Sequence, residues 1–175
     1  MRRVLASDGG PLAGLTLRKT IEAPSEGIGF KVTTEITNTS ETGSVEFAYR
    51  WHNMPSFLEQ GKGRTGWARM ERDGQAVTFS RHFITKAYRR ATAADKALDV
   101  VPTAPNDAIT SDSVVFGCDW NSTQIRVDLR PQNLYSIVYW DEAGMACATC
   151  EPVFPRTVLK WGETWTAESE WRSVR

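Results

Sequence analysis

In the stretch FAYRWHNMPSFLEQ (47–60), His52 falls between Trp51 and Asn53 and just ahead of Pro55; it is one of two histidines in the chain. Imidazole changes charge near neutral pH, which makes His52 the first candidate for moving a proton. The carboxylate that stands out is Glu151 in TCEPVF, at the end of a mostly apolar run and followed by Pro152. Burial there would disfavour the charged form and make the group a better proton acceptor. A His and a Glu brought from different strands to one pocket form an acid/base pair. Such a pair takes a proton from one substrate oxygen and returns one to another. The same residue types also occur as plain strand-end packing and as a Glu-Pro strand exit.

Other chemistries find less support. Cys118, Cys147 and Cys150 are an odd set with no leader-like segment, which does not describe a disulfide framework. CATC (147–150) reads as part of a strand, where residues i and i+3 face opposite sides and diverge. A zinc site would need two further ligands, so we expect no metal and no cofactor. Lys plus Arg equals 21 and Asp plus Glu equals 21, and KAYRR (86–90) is the one basic cluster. That balance argues against nucleic acid, whose affinity comes from massed positive charge. No run approaches the ~20 apolar residues of a membrane span, and Arg2 and Arg3 lack the ~7–15-residue apolar stretch of a secretory signal. The chain therefore reads as soluble, untargeted and cytoplasmic by default.

The elements that must position His52 and Glu151 are strands. TLRKTIE (16–22), GFKVTTEITNTS (29–40) and SVEFAYRWH (44–52) open the chain, the last with Val45, Phe47, Tyr49 and Trp51 on one face and His52 on the other. GWARM (66–70) and QAVTFSR (75–81) flank ERDG, a hairpin signal. SVVFGCDW, TQIRVDLR, LYSIVYW and MACATCEPVF follow, and ETWTAESEWR (163–172) turns Trp165, Ala167, Ser169 and Trp171 inward. Residues 82–107 are Ala- and Lys-rich and read as one short helix or an ordered loop. About ten short antiparallel strands predict a two-sheet β-sandwich forming a single domain over 1–175, with 1–15 flexible or at an edge. Of seven tryptophans, Trp51, Trp165 and Trp171 are expected in the core. Trp67, Trp120, Trp140 and Trp161 fall at strand ends or turns, where a ring can either face a sugar or pack the rim.

Three segments in order resemble the galactose mutarotase-like superfamily of aldose epimerases and hexose-phosphate mutarotases. VTTEITNTSETGSVEFAYRWHNMPSF is similar to its strand, N-T-S, strand and W-H-P-x-F segment. IRVDLRPQNLYSIVYWDEAG is similar to its late hairpin, and CEPVFPRTVLKWGETWTAESEWR to its closing strand pair. The resemblance spans roughly 28–172 and implies an all-β supersandwich that binds carbohydrate without a cofactor. It implies that His52 protonates the ring oxygen and that Glu151 deprotonates the anomeric hydroxyl. Arg50 becomes a hydroxyl or phosphate contact, Asn53 a further ligand contact, and Trp140 and Asp141 the pocket mouth.

The departures shape the function. WHNMPSF carries an Asn-Met insertion, and His82 lies on the wrong side of His52 to supply the family's second histidine. The expectation is a carbohydrate-binding, accessory or shortened module for a sugar or sugar phosphate, with a missing N-terminal or catalytic partner domain. The alternatives are a working epimerase and a structural sandwich packed on a partner.

Overall fold

The structure, a computed structural model, describes residues 2–6, 10–41, 43–52, 66–72, 75–79, 83–84, 89–90, 109–110, 113–118, 124–130, 133–134, 136–141 and 148–174. The strands in the first part of the chain are β1 (Arg2–Ala6), β2 (Leu15–Glu22), β3 (Gly29–Asn38), β4 (Val45–Phe47), β5 (Gly66–Arg72), β6 (Gln75–Phe79), β7 (Phe83–Ile84) and β8 (Arg89–Arg90). Those in the second part are β9 (Ile109–Thr110), β10 (Ser113–Cys118), β11 (Gln124–Arg130), β12 (Asn133–Leu134), β13 (Ser136–Asp141), β14 (Ala148–Val153), β15 (Thr157–Leu159) and β16 (Thr164–Val174). A 3-10 turn, Gly10–Leu12, precedes β2.

An eight-stranded antiparallel sheet runs β1-β2-β3-β16-β11-β10-β5-β6. A four-stranded sheet, β14-β13-β7-β8, and the pairs β15-β4 and β12-β9 complete the described strands. Every described pairing is antiparallel, as the alternating sequences predict. β1 forms one edge of the large sheet, and β13 is interior to the small one, in line with its apolar SIVYW. The 82–107 stretch contributes β7 and β8, two-residue strands where a helix or loop was expected; the remainder of that stretch lies outside the described residues. The actual pattern has more and shorter strands than the ten read from sequence.

The core lies between the layers. On β16, Ala167, Ser169 and Trp171 are buried, and on β3 so are Thr34, Ile36 and Asn38. From the second layer, Phe47, Tyr49 and Phe154 pack around Trp165, with ring centroids 5.2–5.7 Å apart. Further along the large sheet, Phe30 and Phe116 flank Trp171 at 5.3 and 6.1 Å. The expectation of Trp51 and Trp171 in the core holds, with Trp165 partly buried at the layer junction.

One element differs from its sequence reading. SVEFAYRWH was expected as a single strand over 44–52, yet only Val45–Phe47 form β4. The cause lies in the opposing segment of the same chain. Thr157 pairs Phe47, whereas Phe154 donates its N–H to the Tyr49 carbonyl at 2.9 Å. Pro155 and Arg156 therefore oppose the single residue Ala48, a bulge at a proline that has no N–H to give. Inward alternation survives the break, since Phe47 and Trp51 are both buried.

Candidate functional site

The site follows from the register beyond that bulge. Arg50 bridges Val153 in antiparallel fashion, and Trp51 donates its N–H to the Pro152 carbonyl at 3.1 Å. The hydrogen-bonded pairs are thus Tyr49 with Phe154 and Trp51 with Pro152. The next rung sets His52 against Glu151 at a non-hydrogen-bonded position, where facing backbones approach to about 4.5 Å and side chains meet closely. Pro152 cannot return a hydrogen bond to the Trp51 carbonyl, so the ladder ends there and His52 stands at its open end. Arg50 shares the His52 face, diagonal to Glu151, within reach of a long side chain.

The side chains obey this register. His52 Nε2 lies 3.7 Å from Glu151 Oε1, and Arg50 Nη1 lies 3.2 Å from Glu151 Oε2. Their exposures form a gradient from 49% for His52 through 25% for Arg50 to 1% for Glu151. Neither carboxylate oxygen has a hydrogen bond of good geometry among the described residues, so these contacts are ionic. The buried Trp51 indole N–H is likewise without a partner among the described residues. Such a set can receive hydroxyl donors at Glu151 and exchange a proton through His52.

The other expected residues divide. β13 sets Val138 opposite Glu151 and Trp140 opposite Thr149, so Trp140 holds a register position of the same parity as Glu151. Asp141, opposite Ala148, has the other parity and falls on the other face of the strand. Asn53 and Trp120 lie outside the described residues, as does Cys147 of the CATC reading. Trp161 is 64% exposed in the turn after β15, whereas Trp67 lies flat over Gly117. Sequence reasoning missed the pairing of Arg50 with Glu151. Its signal was the Arg-x-His spacing, which puts both side chains on one strand face.

Among the described residues, two cavities lie away from this cluster. One of about 610 Å³ lies at the end of the large sheet beside Ile28, Phe30 and Trp171, and one of about 360 Å³ lies on its outer face beside Lys31, Asp128 and Glu168. Neither includes His52 or Glu151.

No family model matches the chain, and no curated protein matches it in sequence. Solved structures do match in shape. A galactose mutarotase-like protein from Lactobacillus casei aligns with a TM-score of 0.60 at 10% identity, over 91% of this chain and 63% of that one. A candidate aldose 1-epimerase from Escherichia coli K12 aligns at 0.59 and 12%, over 99% of this chain and 64% of that one. The fold is galactose mutarotase-like. A galactose mutarotase related enzyme from Lactobacillus acidophilus gives 0.50 at 12% identity, over 92% and 62%. The chain spans under two thirds of the length of each of these structures. Within this mutarotase-like fold, Arg50, His52 and Glu151 occupy the second layer, on the face opposite Tyr49 and Trp51.

Proposed function

We propose that this chain is a carbohydrate-binding module of mutarotase-like fold, and that a sugar meets it at the His52–Glu151 rung. One observation carries the reading. A buried carboxylate whose hydrogen bonding is incomplete among the described residues sits beside a half-exposed imidazole. A buried acceptor of that kind is costly unless a donor completes it, and sugar hydroxyls are donors and acceptors at once. The names borne by the structures of similar shape support a sugar over other hydroxylated ligands. Because Glu151 is 1% exposed and His52 is 49% exposed, a ligand touches the imidazole before the carboxylate. That order favours binding, in an accessory role, over rapid turnover.

A second reading is turnover, favoured by the 3.7 Å His52–Glu151 separation, since ring oxygen and anomeric hydroxyl share one carbon. His52 would protonate the ring oxygen as Glu151 takes the hydroxyl proton. The C1–O5 bond would break to leave an aldehyde, which recloses on either face.

Calorimetric titration with D-galactose and D-glucose tests the proposal. Wild type is expected to bind one of them, and His52→Ala and Glu151→Gln each to weaken it by about tenfold or more, the worth of one or two hydrogen bonds. Binding of neither sugar, or equal binding by all three proteins, would sink it. The optical rotation of freshly dissolved α-anomer separates the two readings: acceleration by wild type establishes turnover, and its absence leaves binding alone.

A further inference from the structure

We infer that Arg50 is the internal counter-ion of Glu151, a positioning residue that fixes the carboxylate behind His52 rather than a contact for the ligand. The inference rests on the sugar-binding reading and deepens it, because it states which member of the cluster the ligand does not use. Arg50 Nη1 is both buried and 3.2 Å from Glu151 Oε2. A carboxylate that is 1% exposed has given up its hydration and requires a cation nearby. His52 serves poorly, being charged only when protonated and 3.7 Å away. Arg50 is the permanent cation within ion-pair reach of Glu151 among the described residues. The ladder explains why: two residues before His52 on the same face, Arg50 pairs Val153 and lies diagonal to Glu151.

A consequence for specificity follows. A phosphate that drew the guanidinium away would strand Glu151 as an uncompensated buried charge, a strongly unfavourable state. The cluster is therefore built to discriminate against phosphorylated sugars, in contrast to the hydroxyl or phosphate contact that the family resemblance implies for Arg50.

The test is a double-mutant cycle by urea unfolding on the full chain, using Arg50→Gln, Glu151→Gln, the double variant and Arg50→Lys. Arg50→Gln is expected to lower the folding equilibrium constant by about ten- to a hundredfold, less than for a fully buried pair because Arg50 is partly exposed. Adding Glu151→Gln should recover most of that loss, and Arg50→Lys should retain most of the wild-type stability. A simple packing role would give additive losses and no recovery, which overturns the inference. If Arg50→Gln does not fold, folding of the double variant is the same coupling, and failure of both overturns it. In parallel, D-galactose and galactose 6-phosphate are titrated into wild type and Arg50→Gln. Phosphate-sugar binding that vanishes in Arg50→Gln while galactose binding persists would also overturn it. Binding of neither sugar by wild type removes the proposed function and leaves the counter-ion role to be decided by the cycle alone.

Discussion

A methyl group added at Gly117 would lie 2.4 Å from the Trp67 ring, inside any permissible contact. Trp67 and Gly117 are paired across β5 and β10, and Arg69 stands 5.8 Å over the same ring. Gly117→Ala should therefore destabilise the fold by about 1–3 kcal/mol, the usual cost of overpacking, read as a lower urea midpoint. The Trp67 ring covers Gly117 of the neighbouring strand, a packing contact that the sequence had weighed beside a sugar contact. His52 and Glu151 could be singled out as candidates in the sequence because alternation and a neighbouring proline act locally. The partner of Arg50 was not, because it depends on the register between segments about a hundred positions apart.

The turn between β15 and β16 is tied to the end of β3 through Asn38. Its side-chain amide donates to the Gly43 carbonyl at 3.0 Å and the Leu159 carbonyl at 2.9 Å, and its carbonyl oxygen accepts the Ser40 N–H at 2.9 Å. Backbone bonds to Glu163 and from Gly162 flank it, with Gly162 at a φ of 79° to close the turn. Asn38 is fully buried, so Asn38→Ala leaves several backbone groups unsatisfied and should cost about 2–4 kcal/mol by chemical denaturation. A loss below about 0.5 kcal/mol, the usual range for surface substitutions, would contradict the tie. At this scale β3, β11 and β16 were readable from their period of two, and β10 from its compact apolar run. The division of 44–52 was not, because its cause, the bulge at Pro155 and Arg156, sits in a distant partner. The two-residue strands β7 and β8 are too short to leave any periodic signature.

Across the whole molecule the zero formal charge is partly organised on the outer face of the large sheet. Arg18 pairs Glu35, Lys31 pairs Glu168, Arg126 pairs Asp128, and Arg172 pairs Glu170. Exposed pairs of this kind contribute about 0–1 kcal/mol each, so the layers are held from the other side. There Phe154, 1% exposed, meets Tyr49, Trp51 and Trp165 at 5.1–6.2 Å. Phe154→Ala removes the ring that joins the layers and should cost about 3–5 kcal/mol, seen as a lower melting temperature. The all-β layered architecture was legible because several long segments alternate, others are short apolar runs, and almost none has helical spacing. The placement of the cavities was not, since it depends on how sheet ends are closed rather than on any one strand.

Where a sugar lands decides between the His52 rung and the roomier cavity beside Phe30 and Trp171. Backbone amide shifts followed by NMR during a D-galactose titration read this directly. The account predicts the largest shifts at Arg50, Trp51, His52 and Glu151, with 28–31 and 170–173 unmoved. Shifts centred on Phe30 and Trp171, with His52 and Glu151 silent, would contradict it.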